Sequence, residues 1–161
     1  MVASDGQGAR DLHEAGGVAR DWSAYVETRY GVRVSWRQCP VPLDRLIATQ
    51  PEIELLKYRL VRDEGFRIEE PIVVYKGRAG PYYVVDGHTR ARVRWDAGCT
   101  TVEAILLDCP EEAVELDLAS AACRSGAGDS RRIGDVPIID RLGEGTAAWT
   151  RRRRELLRKR G

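Results

Sequence analysis

Residues 71–87, PIVVYKGRAGPYYVVDG, hold two short apolar runs separated by a turn of glycine, proline and charge. The first run, Pro71-Ile-Val-Val-Tyr75, is short and β-branched, and its lack of alternation predicts a strand buried on both faces. Tyr82 to Val85 reads as the next strand. The short Gly-containing link between the two makes a hairpin. A strand covered on both faces needs a layer on each side, so this stretch calls for a sheet enclosed by helices.

Helical patterns lie on either side of the hairpin. Trp22, Tyr25, Val26 and Tyr30 recur at helical spacing from Val18 to Tyr30, with Gly31 as the stop. Val32, Val34 and Trp36 alternate with polar residues as a strand would. CPVPLDRLIATQPE carries three prolines within twelve residues and reads as a loop, with at most a helical turn from Asp44 to Ile47. A second amphipathic helix is expected from Glu52, with Ile53, Leu56, Leu60 and Val61 on one face. Pro51 would sit in its first turn and Gly65 would close it. Thr89 to Ala97 reads as a helix ending at Gly98, Thr101 to Leu107 as a strand, and Glu111 to Ala122 as a helix. CRSGAGDSRR is a loop by composition, and VPIID is extended or a short strand. Thr146 can cap a last helix, Ala147 to Lys159. The order predicts an α+β domain with a small mixed sheet flanked by helices. Residues 1–17 are expected as a loose arm, 18–145 as one domain with its motifs in 43–108, and 146–161 as a basic helix.

Composition removes several function classes. Of 161 residues, 43% are hydrophobic and 32% charged, as in ordinary globular chains. No apolar run approaches the ~20 residues of a membrane span. The first residues lack the apolar centre of a secretory signal, so a cytoplasmic location is the default expectation. Cys39, Cys99, Cys109 and Cys123 are widely spaced, without a C-x-x-C pair or a histidine at ligand spacing. That argues against zinc and for buried thiols, with one disulfide open if the source is a hyperthermophile. Net charge is +1, yet Arg151 to Arg160 holds seven basic residues and one acid. That run can grip nucleic-acid phosphates, or it can simply be a solvated helix end matched to its dipole.

The richest chemistry sits in VVDGHTRARVR, residues 84–94. A strand ends, Asp86-Gly87 turns, and His88 or Thr89 opens a helix. Free backbone N–H groups at a helix start form an anion site, and Gly87 permits a positive φ or the close approach of a ligand. Arg90 in the first turn opposes the helix dipole unless a bound anion reverses the sign. The plainer alternative is a turn capped by Asp86 with solvated arginines. Arg92 and Arg94 are expected on the helix surface.

Taken in order, Gly65, Pro71-Ile72-Val73-Val74, Asp86-Gly87-His88-Thr89-Arg90, Ala97-Gly98 and Thr101-Val102 follow one pattern. Over about 65 residues, from Leu43 to Asp108, the chain resembles the ParB/sulfiredoxin-like superfamily. The resemblance implies that fold and a phosphate cradle made of Gly87, His88, Thr89 and Arg90. In it the Thr89 hydroxyl and the Arg90 guanidinium bind oxygens, and His88 donates to phosphate or relays a proton.

Three branches of the superfamily imply different chemistry. Sulfiredoxins use a cysteine where this chain has His88, with a histidine where it has Thr89, and Cys99 is too far along to substitute, so that activity is excluded. ParB-type partition proteins bind CTP here and read DNA with a separate helix-turn-helix domain, for which the remaining residues are too few. Archaeal free serine kinases move phosphate from ADP to serine and resemble this chain as stand-alone forms. They place a catalytic carboxylate where this chain reads LIATQPEIE, offering Glu52 and Glu54, with Gln50 near the aligned position. The resemblance therefore implies a nucleotide (ADP or ATP, with CTP open) and Mg²⁺, Glu52, Glu54, His88 and Asp86 as candidate catalytic groups, and a small hydroxyl metabolite as acceptor. The alternative is a DNA-associated regulatory module that uses the nucleotide as a switch and the basic helix on nucleic acid.

Overall fold

The computed structural model describes residues 13–78, 80–109, 111–125 and 131–160, except the side chains of 13–16, 123, 125 and 160. The chain runs α1 (His13–Tyr30), β1 (Ser35–Pro42), a 3₁₀ turn (Leu43–Arg45), β2 (Leu46–Ile47), β3 (Ile53–Glu54) and α2 (Leu55–Glu64). It continues with β4 (Ile72–Lys76), β5 (Tyr82–Asp86), α3 (His88–Asp96), β6 (Thr101–Asp108) and α4 (Glu112–Ser125). A second 3₁₀ turn (Ile133–Asp135), β7 (Ile138–Ile139) and α5 (Ala147–Arg160) complete it.

Five strands form one mixed sheet in the order β1-β6-β4-β5-β2, and β3 pairs with β7 apart from it. β1 is antiparallel to β6, β6 parallel to β4, β4 antiparallel to β5, and β5 parallel to β2. The fold class is therefore α+β, with a mixed sheet flanked by helices. β4 lies at the centre, and Ile72, Val73, Val74 and Tyr75 are all buried, as its unbroken apolar run requires. Val73, Tyr75, Ile105 and Leu107 pack with residues of α1 and α4 on one face. Ile72, Val74, Ala104 and Leu106 pack with Ala91 of α3 and Ile133 on the other. A third cluster joins Leu56, Leu60 and Val61 of α2 to Val93 of α3 and Leu156 of α5.

Several boundaries differ from the pattern reading. The first helix begins at His13, so the expected arm over 1–17 loses its last five residues, and 1–12 lie outside the described set. β1 extends through Pro40 and Pro42, which were expected in a loop. β1 is an edge strand, and prolines two residues apart share one side of it. Lacking N–H groups, they are tolerated on the side turned away from β6. The expected turn at Asp44 to Ile47 is a 3₁₀ turn ending in a short strand, because Leu46 and Ile47 pair with Tyr82 and Tyr83. Ile53 and Glu54 were expected in the helix. They form β3 instead, drawn into extended backbone by Ile138 and Ile139. α2 therefore starts at Leu55, and neither Pro51 nor Glu52 lies in its first turn. α4 runs on to Ser125, and residues 126–130 of the expected loop are outside the described set.

Cys39, Cys99 and Cys109 are free thiols. No described helix is long and apolar enough to cross a membrane.

Candidate functional site

β5 carries the chain out of the sheet at Asp86, Gly87 turns it, and α3 starts at His88. Gly87 has φ 101°, and a Cβ there would lie 2.6 Å from Ile72 Cγ2. The fold itself thus demands glycine, before any ligand is considered. Gly87 is also the N-cap and supplies no side-chain bond. Asp86 is not the cap: its carboxylate lies 3.5 Å from Arg90 Nη2. The first helical bond runs from the Ala91 N–H to the Gly87 carbonyl at 3.0 Å. The amides of His88, Thr89 and Arg90 precede it and have no acceptor among the described residues. They form the positive pole of α3.

These amides border a cleft of about 510 Å³, part of it open to solvent. Its walls are Gln50 after β2, Lys57 and Val61 in α2, Phe66 and Arg67, and the stretch from Val85 to Arg90. Arg90 is only 7% exposed. Its Nη2 donates to the Pro71 carbonyl at 3.1 Å, while its Nε has no partner among the described residues. Burial opposes the Arg90 charge, Asp86 offsets part of that, and the guanidinium stays charged. Arg67 sits at φ 56°, a rare backbone state for a side-chain-bearing residue, and pairs with Glu70 at 2.7 Å. Thr89 is buried, and its hydroxyl has no protein partner among the described residues.

His88 is tied into the fold through one ring nitrogen. It is 5% exposed, and its Nε2 accepts the Thr49 amide at 3.0 Å, so that nitrogen carries no proton to give. The Thr49 hydroxyl donates to the Val84 carbonyl at 2.5 Å. His88 therefore holds the segment after β2 against the end of β5, and offers the cleft its amide. Burial pushes the imidazole down to about 4, with Asp86 acting weakly in the other direction. The folded state prefers the neutral ring, so His88 favours folding above about pH 6.5, and that contribution fades as pH falls toward 4. Urea unfolding should show a loss of about 3 kcal/mol across that window. His88→Gln should flatten the profile; an equally steep one in the variant would assign the effect to other groups.

Of the expected carboxylates, Glu52 and Glu54 lie elsewhere. Glu52 is held by Arg141 at 2.5 and 2.6 Å, which keeps its carboxyl below the usual range. Glu54 forms a two-point pair with Arg152, both contacts at 3.1 Å. Neither lines the cleft, whereas Gln50 does, and Asp86 is the acidic side chain among the lining residues. Arg92 is not a free surface residue: it pairs with Asp96 at 3.1 Å and donates to the Val136 carbonyl. Arg94 reaches the Ile68 carbonyl at 3.2 Å.

The basic end of α5 is partly consumed inside the molecule. Arg152 and Arg153 pair with Glu54 and Glu64, and Leu156 is buried against α2. Arg151, Arg154, Arg158 and Lys159 stay exposed, with no ion pair among the described residues.

Lys57 escaped the pattern reading. It is half-buried in the cleft wall and forms no hydrogen bond or ion pair among the described residues. Burial lowers its pKa, with Asp86 and Glu54 opposing. The signal was available: it is one of three lysines against 23 arginines, four residues before Val61 on the apolar side of its helix.

Taken together, these groups place a helix start, a buried arginine and a half-buried lysine on one cleft at a strand-to-helix turn of an α+β domain. No family model matches the chain, and no curated protein matches it. Among solved structures it is similar to protein Atu1540 from Agrobacterium tumefaciens, at TM-score 0.42 and 17% identity. The likeness covers 66% of this chain and 63% of that one, so the chain spans under two thirds of that structure's length.

Proposed function

We propose that the chain is a ParB/sulfiredoxin-like domain whose cleft binds the phosphates of a nucleotide. The observation that carries this is the meeting of three acceptorless amides at the start of α3 with the buried, charged Arg90 on the lining of one cleft. A helix start with a guanidinium beside it is complementary to a phosphate group.

The enzymatic form of this reading is phosphoryl transfer from ADP or ATP to a small hydroxyl metabolite such as free serine. Glu52 and Glu54 are not among the residues lining the cleft and Asp86 is, so the acid that would accept the hydroxyl proton is Asp86. No group of three or more metal-ligating side chains occurs among the described residues. Asp86 is still a fitting partner for Mg²⁺, which takes few protein ligands when phosphates supply the rest and which neutralises phosphate charge when bound. A second reading is a nucleotide-controlled module, with CTP as a candidate and nucleic acid as partner. Its support is the removal of Glu52 and Glu54 from the cleft, together with the four exposed basic side chains of α5.

A thermal-shift panel of ADP, ATP and CTP, with and without Mg²⁺, tests the binding. At a hundredfold excess over Kd the stabilisation should be about 2.7 kcal/mol, or roughly 5–10 °C for a chain of this size. No shift with any nucleotide would remove the reading. Labelled phosphate appearing on serine would select the kinase, whereas stabilisation by CTP or DNA without transfer would select the module. In a kinase, Asp86→Asn should abolish transfer, while Glu52→Gln and Glu54→Gln keep it. Loss of transfer in Glu54→Gln with nucleotide binding intact would return the catalytic role to that carboxylate.

A further inference from the structure

We propose that Lys57 is a second phosphate anchor, which makes the cleft selective for a diphosphate or longer chain over a single phosphate. The inference rests on the phosphate reading of the cleft and assigns it a substrate class. Four charged side chains line the cleft: Lys57, Arg67, Asp86 and Arg90. Arg67 is paired with Glu70 and Arg90 with Asp86. Lys57 has no such partner among the described residues.

Burial in the cleft wall disfavours the Lys57 charge, so an opposite charge placed beside it would be stabilising. Here the nearest compensating charges act at longer range, from Asp86 and Glu54, and Glu54 is already held by Arg152. An anion in the cleft would supply the missing partner.

The position of Lys57 separates its role from that of the turn. It projects from α2, whereas the amides of His88, Thr89 and Arg90 belong to α3. The three amides and the Arg90 guanidinium can occupy the oxygens of one phosphate without it. A second phosphate linked to the first is the group that a cation on another helix can reach and that a lone orthophosphate lacks. The mobile point charge of lysine suits a terminal phosphate of variable position better than a fixed guanidinium fork does.

Isothermal titration of the full chain with orthophosphate and pyrophosphate tests this without knowledge of the base or acceptor. The wild-type chain should bind pyrophosphate at least about tenfold more tightly, the worth of one added charge-assisted hydrogen bond. Lys57→Met keeps the stem length and should erase that preference while changing orthophosphate affinity by less than about threefold. Lys57→Arg keeps the charge and should retain part of the preference, which a packing role would not predict. Pyrophosphate preference undiminished in Lys57→Met would overturn the anchor and leave the cradle standing. Equal weakening of both anions would overturn the division into two subsites. Failure of the wild-type chain to bind either anion would remove the phosphate reading and the anchor together.

Discussion

Gly87→Ala should cost the fold about 3–5 kcal/mol, seen as a lower urea midpoint with an unchanged slope. Two independent penalties act at that position. The backbone sits at φ 101°, where a side chain costs roughly 1–3 kcal/mol. The added methyl would also meet Ile72 Cγ2 at 2.6 Å and Ile72 Cβ at 2.8 Å. Ile72 belongs to the central strand and is fully buried, so it has little room to retreat. Pairing the change with Ile72→Ala separates the two penalties. The double variant should relieve the clash but not the backbone cost, giving a coupling of about 1–2 kcal/mol beyond the sum of the single changes. Strict additivity would show that Ile72 is not what the methyl meets.

Arg90→Ala should lower the affinity for pyrophosphate or ADP by about a hundredfold or more in isothermal titration, the loss of two charge-assisted bonds. Arg90 also serves the fold, since its Nη2 holds the Pro71 carbonyl. A concurrent loss of about 1–3 kcal/mol in stability is therefore expected. Arg90→Lys separates the two roles. It keeps a positive charge but not the planar fork, so binding should fall between wild type and alanine. Binding unchanged in folded Arg90→Ala would remove Arg90 from the cradle, because the amides alone would then account for the affinity.

The parts of the fold that were legible in the sequence are those fixed by local pattern. β4 and β5 follow from their apolar runs, and α3 follows from the turn that starts it. The missed strands are defined by remote partners. Leu46-Ile47 is extended because Tyr82-Tyr83 lies beside it, and Ile53-Glu54 because Ile138-Ile139 does. No window around residue 53 contains that information. The site divides in the same way. The turn and Arg90 could be found from spacing, and the cleft includes both. Glu52 and Glu54 looked available because their partners, Arg141 and Arg152, stand 89 and 98 residues away. The tie on one nitrogen of His88 was hidden because its donor, the Thr49 amide, lies just after β2, a strand set by a remote partner. Lys57 was hidden by the habit of reading a charged residue in an amphipathic helix as solvated.

Pro40 and Pro42 bear on how copies of this chain can meet. An unpaired strand normally offers a row of donors along which a second sheet can dock and continue. On the outer side of β1 two consecutive donor positions are blank, each occupied by a pyrrolidine ring. The border of the sheet is thereby closed to strand addition over its second half. Along that half of the border, association between copies has to be built from side chains rather than by splicing backbone to backbone.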